Sequence, residues 1–294
     1  VGHIYEESLL GNLIDSSIVL QDQKQIAINF NDNTPDVKAC KYLRKKFKRI
    51  DLALLNYNAA GPYPSCFDNL TIKKKKYESK RILKRNFDHL CNIIPHLKPK
   101  TVLPFAGAYI LGGKNYKKND YLGTTTWENC ANYLKKNLKF KSKVICLREN
   151  QIYDLKLEKS LKEYKSLDLN HMKNYLKIIN KIKYDYENDP VADLKKLNRD
   201  VIIASKKFQN NVDKFNIKLK TNIFIKLNKK KIKILSGKDK NRSITCEMDN
   251  KLLRRILDKK SHWNNAEIGA HISFKRKPNK MEPDVHTCLS FFHL

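Results

Sequence analysis

The chain has 294 residues, with 60 lysines and arginines against 30 aspartates and glutamates, and its formal net charge is +30. Hydrophobic residues make up 41% of it, which is typical of a folded protein and excludes a wholly disordered chain. No run of about 18 uncharged apolar residues occurs, which excludes a membrane-spanning helix. The seven cysteines are scattered without a Cys-x-x-Cys pair, which predicts free thiols in a reducing, cytoplasmic compartment.

The first hundred residues predict strands and helices in alternation, the pattern of a layered α/β fold. The predicted elements in chain order are strands at 12–21 and 24–30, a helix with Thr34 as its N-cap and Pro35 at its first helical position, a strand at 50–57, a helix at 78–97 and a strand from residue 100. Within the second helix, His89 and His96 lie among lysines, and we expect both at the surface.

The rest of the chain predicts two further parts. Residues 114–210 are charged and poor in glycine, and we expect helices there, including one at 158–167. From residue 211, alternation of apolar and polar residues predicts antiparallel strands, followed by a helix that Asp249 caps. The predicted domains are an α/β domain at 1–113, a helical segment at 114–210 that packs on or links the domains, and a small α+β domain at 211–294.

Polar residues follow several of the predicted strands, in the loops "NDNTPD", "NYNAAGPYP" and "PFAGAY". In layered α/β sheets, functional residues gather outside the carboxyl ends of the strands. Asp32 stands where a metal ligand would stand, although an aspartate there equally suits a turn or a helix cap. Tyr57, Asn58 and Tyr63 on the next loop either contact a substrate or pack the loop.

The stretch "GHIYEESLLGNLIDSSIVLQDQKQIAINFNDNTPD", followed by "IDLALLNYNAAGPYP", resembles the second half of the metallo-β-lactamase fold. In that superfamily a His precedes a pair of strands, and a strand then delivers an Asp to the metal. Carried over position by position, His3 matches the metal-binding His of the third motif and Asp32 the Asp of the fourth. The resemblance implies the second half of an αββα sandwich.

A closer resemblance includes the other end of the chain. "HWNNAEIGAHISFKRKPN", together with "NDN", "GPYPSCF" and "PFAG", is similar to the CMP-N-acetylneuraminate hydroxylase and UDP-N-acetylmuramate hydroxylase group. Those proteins join a metallo-β-lactamase-like domain to a Rieske iron–sulfur domain. The resemblance covers residues 1–113 and 240–294, and the stretch between them carries little of it.

The departures from the family concern the metal ligands. The principal metal motif, His-x-His-x-Asp-His, is absent from the 294 residues, and no histidine stands near Pro104, where the last metal ligand falls in the family. No Cys-x-His or Cys-x-x-His arrangement is present for a Rieske cluster. His3 and Asp32 alone are too few for a closed metal site. We therefore expect an N-terminally truncated fragment whose main metal motif, and any Rieske part, would lie upstream.

By the resemblance, the function is that of a metal-dependent hydrolase or hydroxylase-like protein. The complete protein would hold zinc or iron, with a Rieske [2Fe–2S] cluster possible upstream, and the metal would activate water or position oxygen chemistry. The implied partner is an anionic small molecule, such as a nucleotide sugar or a glycan-derived sugar. This fragment is expected to be inactive, and whether it is itself an enzyme stays open.

Polar residues also crowd around Trp263 in the C-terminal stretch. They either line a substrate cleft or close turns, with Glu267 pairing Arg276, and the structural alternative is slightly favoured. The members of this group that would contact a substrate are His262, Asn264, Asn265 and His271.

The net charge of +30 leaves a second function open, that of a nucleic-acid-binding or nuclease member of the same fold. The small-molecule partner is preferred, because the lysines of "LNKKKIKIL" alternate with core residues and form no arginine-rich patch with interleaved aromatics. An anionic small substrate would benefit from the same positive field.

Overall fold

A computed structural model describes residues 17–105 and 107–294, so the predicted metal ligand His3 lies outside the described residues. The described chain forms two compact units, each assembled from several stretches. The first comprises the residues up to Ala60, Glu78–Tyr109 and Gly123–Met172, and the second comprises Gly61–Tyr77, Ile110–Leu122 and Lys173–Leu294. The predicted division at residues 113 and 210 into two domains and a helical segment that packs on or links them stays a prediction.

The first unit contains a five-stranded mixed sheet whose strands follow one another in chain order. Its strands are β1 (Ile18–Gln21), β2 (Ile26–Asn29), β3 (Leu52–Asn56), β4 (Thr101–Phe105) and β5 (Lys143–Val144). The edge strand β1 runs antiparallel to β2, whereas β2, β3, β4 and β5 are parallel. The parallel strands therefore present their carboxyl ends along one edge of the sheet, as the alternating sequence pattern predicted.

Three helices follow strands of this sheet: α1 (Val37–Lys46), α2 (Ile72–Leu97) and α3 (Trp127–Asn137). Their apolar faces and the sheet share one hydrophobic core, in which Phe30, Leu90 and Leu134 are fully buried. The buried side chains of α2 recur at helical spacing, which confirms the amphipathic stripe expected from the sequence. The mixed α/β class is thus confirmed for the described residues.

Two local predictions are wrong. The N-cap of α1 is Asp36, not Thr34, because the Asp36 carboxylate accepts a hydrogen bond from the Ala39 N–H at 2.6 Å. The helix expected at 158–167 does not form. That stretch instead pairs as a short hairpin, β6 (Tyr153–Asp154) with β7 (Lys159–Ser160).

Side-chain hydrogen bonds explain why the stretch after β7 is not helical. The Trp127 indole donates to the Tyr164 hydroxyl at 2.7 Å, and that hydroxyl donates to the Glu128 carboxylate at 2.6 Å. Glu128 also accepts from the Leu167 backbone N–H at 2.8 Å. Helix propensity is a weak preference, and these tertiary contacts with α3 override it.

A buried carboxylate holds the opposite, amino-terminal edge of the parallel strands. Asp51, which precedes β3, is 3% exposed and accepts a hydrogen bond from the Ile26 N–H at the start of β2. The Arg49 guanidinium lies 2.6 Å and the Lys100 ammonium 3.7 Å from the same carboxylate. One buried anion thereby links the starts of three neighbouring strands, which is how a charge can be retained in a core.

The second unit is built on a four-stranded sheet in the order β11, β10, β8, β9. Its strands are β8 (Asn222–Leu227), β9 (Lys230–Leu235), β10 (Ser243–Glu247) and β11 (Ser273–Lys277). Its α-helices are α4 (Leu169–Ile179, which begins in the first unit), α5 (Leu194–Lys214), α6 (Asn250–Leu257), α7 (Trp263–Ile268) and α8 (Pro283–Leu289), and its 3-10 helices are Gly113–Tyr121 and Asp185–Asn188. The predicted antiparallel pairing of β8 with β9 and the predicted Asp249 cap of α6 are confirmed.

The core of the second unit contains a buried carboxylate whose partners differ from the one expected from the sequence. Glu267 is 4% exposed and accepts a hydrogen bond from the Trp263 indole at 2.7 Å. His286 Nδ1 lies 3.1 Å from both of its carboxylate oxygens. The expected pairing of Glu267 with Arg276 is therefore wrong, since Arg276 donates to Asn279.

All seven cysteines lie among the described residues and are free thiols, as their spacing predicted. In the described parts of the chain, no helix is both long and apolar enough to cross a membrane. Burial raises the pKa of several of the thiols, that of Cys288 to about 11, so these thiols stay protonated near neutral pH.

Asp51→Asn is expected to lower the free energy of unfolding by about 2 kcal/mol, because the amide loses the charge-assisted hydrogen bonds from Ile26 and Arg49 and the ion pair with Lys100. Glu158→Gln is the matched control, since the Glu158 carboxylate lies 3.1 Å from the same Lys100 but is exposed. Its loss should cost at most about 1 kcal/mol. Urea denaturation of both variants measures the difference, and equal losses would contradict the role of Asp51.

Candidate functional site

The carboxyl ends of β2, β3 and β4 meet at one edge of the first sheet, and the loops that follow them carry the polar residues singled out in the sequence. Backbone hydrogen bonds set this edge: the Phe30 N–H donates to the Leu54 carbonyl at 3.1 Å. In layered α/β sheets such an edge is where ligands bind.

Asp32 lies in the turn directly after β2 and is exposed. The turn is closed locally, since the Asn31 N–H donates to the Asn29 side chain at 2.9 Å and the Asn33 N–H donates to the Phe30 carbonyl at 2.9 Å. Asn31 has a φ of 48°, a conformation that asparagine tolerates. The position fits the turn residue that the sequence allowed as an alternative.

The described residues alone do not fit a metal centre. No group of three or more His, Cys, Asp or Glu side chains in residues 17–105 and 107–294 is placed to hold an ion. Asp32 is the one expected ligand within these ranges, and His3 falls outside them. The zinc or iron expected from the resemblance therefore has no ligand cluster in the part of the chain that the structure describes.

Asn58 joins three loops at this edge. Its amide group donates to the Gly107 carbonyl at 2.9 Å and to the Thr125 carbonyl at 2.8 Å, and its Oδ1 accepts from the Thr125 N–H at 3.2 Å. The Asn58 backbone N–H donates to Asn56 Oδ1 at 2.9 Å. Both amide protons are thus used inside the protein, which leaves one lone pair of Oδ1 for any substrate.

A cavity of about 300 Å³ opens between the loops after β2 and β3 and one face of α2. Its volume is at the small end of the range for ligand sites. It is lined by Thr34, Asn56, Tyr57, Asn58, Ala59, Arg85, Asn86 and His89. Two of the predicted substrate contacts, Tyr57 and Asn58, therefore lie in one cavity.

The α2 side of this cavity carries hydrogen-bond donors and a positive charge. Arg85 is exposed and donates to Asn86 Oδ1 at 3.2 Å. The Asn86 Nδ2 group is buried and has no hydrogen-bond partner among the described residues. His89 Nε2 lies 3.0 Å from the Pro35 carbonyl, and since a carbonyl only accepts, Nε2 carries a proton.

Tyr57 is the most deeply buried aromatic residue of the cavity lining. It is 2% exposed, and burial raises the pKa of its phenol well above the ordinary value, with smaller contributions from Cys130 and Cys146. The phenol is therefore neutral at physiological pH and can act as a hydrogen-bond donor.

The other predicted substrate contacts belong to the second unit and have separate environments. The Tyr63 ring packs against Phe67, with centroids 5.0 Å apart, and the Arg276 guanidinium lies 5.2 Å from its centroid. His262 caps α7, where its ring accepts from the Asn264 N–H. Asn264 and Asn265 are exposed on the first turn of α7. Their predicted contact with substrate stays a prediction.

His271 packs within an aromatic cluster of the second unit. Its ring lies edge-on to Tyr184, with centroids 4.4 Å apart, and its Nδ1 is 3.2 Å from the Tyr186 hydroxyl. Desolvation lowers its pKa below 6.5, and the charges of Lys118 and Lys114 act in the same direction. The ring is consequently neutral at physiological pH.

Sequence reasoning missed Arg85, Asn86 and the inward position of His89. The signal was present, because residues three and four positions apart on a helix share a face, and His89 stands three positions after Asn86 and four after Arg85. His89 is partly buried rather than at the surface. Only the packing of α2 beside the β2 and β3 loops shows that these side chains converge.

Gly107→Ala is expected to lower the free energy of unfolding by about 2 kcal/mol, because a side chain strains this backbone conformation. Gly107 has a φ of 132°, and a Cβ there would lie 2.7 Å from the Asn58 Cβ. Gly61→Ala is the matched control, since a Cβ at Gly61 meets nothing within 4 Å. Thermal denaturation measures both, and equal midpoints would contradict the close approach to Asn58.

Acidification is expected to destabilise the fold through His271. Its pKa is lowered in the folded state, so as the pH falls through 6.5 the unfolded chain takes up a proton that the folded ring does not. The free energy of unfolding should fall between about pH 7.5 and about pH 5.5, by at most about 1.4 kcal/mol per pH unit. In His271→Gln this pH dependence should be weaker; an unchanged dependence, measured by urea denaturation at each pH, would contradict the assignment.

Comparisons with protein-family models, with curated proteins and with solved structures each find no match to this chain. The mixed α/β fold is established by the structure, whereas the resemblance to the metallo-β-lactamase superfamily depends on the quoted stretches of sequence. The kind of ligand that the cavity binds is therefore inferred from the residues that line it.

Proposed function

We propose that the first unit binds an anionic sugar- or nucleotide-derived small molecule in the cavity at the carboxyl edge of its sheet. The proposal combines the donors that line the cavity with the substrate class implied by the sequence resemblance. Thr34 and Tyr57 are among the lining residues, and the side chains of α2 contribute the charge and an amide.

The unpaired Asn86 Nδ2 is the observation that carries the proposal. A buried donor without a partner costs about 1–3 kcal/mol, and a ligand oxygen in the cavity would remove that cost. The donor sits beside Arg85, whose guanidinium favours a carboxylate or phosphate oxygen with two acceptor positions. Together these two groups select an acceptor-rich anion over a neutral or cationic ligand.

The other wall of the cavity favours a ligand with hydroxyl groups. Asn56 and Asn58 are held by hydrogen bonds within the protein, which fixes the wall before a ligand arrives. Such preorganised walls lower the entropy that binding costs. A volume of about 300 Å³ accommodates one sugar or nucleotide unit rather than a polymer.

The wider class, a metal-dependent hydrolase or hydroxylase of the metallo-β-lactamase fold, is part of the proposal and is supported by the quoted motifs and by the position of Asp32 after β2. Binding of the anion does not require a metal, because the lining itself supplies the charge and the donors. The structure supports binding more directly than it supports catalysis.

Arg85→Gln is expected to weaken binding of N-acetylneuraminate or uridine 5′-monophosphate at least about tenfold, because a charge-assisted hydrogen bond is lost. Asn86→Asp should weaken binding further, since a carboxylate replaces the unpaired amide and repels the anion. Isothermal titration calorimetry at low salt measures both, and the two probes distinguish a sugar carboxylate from a nucleotide phosphate.

Lys80→Gln serves as the control for this experiment, because Lys80 is exposed on the same helix and does not line the cavity. It removes the same charge from the protein and should leave the affinity unchanged. Equal affinity of wild type, Arg85→Gln and Asn86→Asp would contradict the proposal, as would an equal loss in the Lys80 variant.

A further inference from the structure

One face of the four-stranded sheet in the second unit carries a cluster of lysines around an aromatic ring. We call it the lysine face and define it by Lys226, Lys231, Lys233, Lys275, Lys277 and Phe224. Strand register places these residues together: Phe224 stands opposite Lys233, and Lys226 opposite Lys231. Thr245 of β10 stands between Phe224 and Lys275, which continues the row across all four strands.

The period of two in the sequence creates this face. Successive side chains of a strand point to opposite sides of a sheet, so the alternation in "NIFIKL" and "KKIKIL" sorts apolar from basic residues. Ile223, Ile225 and Phe274 fall on the other side and are fully buried. Lysines that interrupt core residues along the chain are therefore neighbours on one surface.

Phe224 gives this surface a feature that a solvated charge cluster lacks. The ring is partly exposed, and the ammonium groups of Lys231 and Lys233 lie 6.0 Å and 5.8 Å from its centroid. A partly exposed ring in the middle of a sheet, flanked by cations, provides a surface on which a nucleobase can stack.

The charge of the face is largely uncompensated. Glu247 is the acidic residue in these rows, and its carboxylate lies 2.7 Å from Lys226. The structure records no ion pair for Lys231, Lys233, Lys275 or Lys277 in the part of the chain it describes, and all four are exposed. Four cations are consequently available to phosphates.

From this arrangement we propose that the lysine face binds single-stranded nucleic acid, with backbone phosphates on the four free lysines and a base stacked on Phe224. Charge complementarity argues for a polyanion, and the partly exposed ring argues for unpaired bases rather than a duplex, whose bases are already stacked. An anionic membrane is disfavoured, since Phe224 is the only large apolar side chain in the described rows of this face. The proposal concerns a surface and a ligand separate from those of the cavity.

The decisive experiment measures fluorescence anisotropy of a labelled oligo(dT) of about 20 nucleotides against the full chain at several salt concentrations. Four phosphate contacts to a single strand give a slope of log affinity on log salt of about −3, so raising salt from about 50 to about 200 mM should weaken binding about fiftyfold. Phe224→Leu, which keeps an apolar side chain, should weaken binding about tenfold through lost stacking.

Two matched charge variants distinguish binding by the lysine face from binding by the general positive charge of the protein. Replacing Lys231, Lys233, Lys275 and Lys277 by Gln should reduce the slope by about 3. The control replaces four exposed lysines of α5 by Gln and should leave the slope nearly unchanged; they are Lys195, Lys196, Lys207 and Lys214. All eight positions are exposed, so folding should be retained, which circular dichroism verifies.

Several results would overturn the proposal. They are no binding at about 50 mM salt, equal losses in the two charge variants, equal affinity for a duplex of the same length, or binding to phosphatidylserine vesicles without binding to the oligonucleotide. None of these results bears on the cavity, whose test uses small anions and the Arg85 variant.

Discussion

The hydrogen bonds of the Asn58 amide are the constraint on which the proposed site depends. One side chain contacts the loops that carry Gly107 and Thr125, so the ends of two strands and the approach to α3 are held at fixed distances. The cavity wall is therefore rigid before a ligand binds. A small neighbour is required for this arrangement, because any Cβ at Gly107 would collide with Asn58.

The two edges of the first sheet differ in whether their polar and charged groups have partners within the protein. At the amino-terminal edge a buried carboxylate, Asp51, is compensated by nearby cations and contributes to stability. At the carboxyl edge the donors of α2 are left partly unpaired, and they are candidates for binding. Stability and ligand recognition are thus assigned to opposite ends of the same strands, as in other layered α/β sheets.

Much of the fold could be predicted because periodicity reports local burial. The strands from β2 to β4, the helices α1, α2 and α3 and the β8–β9 hairpin all follow from apolar spacing. Two of the failures have a common cause: the absence of a helix at 158–167 and the pairing of Glu267 with His286 are decided by contacts between residues far apart in sequence. A single sequence does not encode such contacts in any local pattern.

The candidate site was only partly accessible to sequence reasoning for the same reason. Tyr57 and Asn58 could be identified because they directly follow a buried strand, but Arg85 and Asn86 come from the middle of a long helix. For the lysine face, the alternation of apolar and basic residues was visible in the sequence, but the clustering of the lysines around an aromatic ring was not. Only the register of four strands shows that Phe224 stands among the lysines.

The placement of the tryptophans has an optical consequence. The chain contains two, and each unit holds one: Trp127, partly buried beside Tyr164, and Trp263, which is 1% exposed and bound to Glu267. The native emission spectrum is therefore the sum of one contribution from each unit. Because indole emission shifts with the polarity around the ring, each contribution reports the surroundings of its own tryptophan. Replacing either tryptophan by phenylalanine would leave a single intrinsic reporter, with which the melting of either half can be followed without any attached dye.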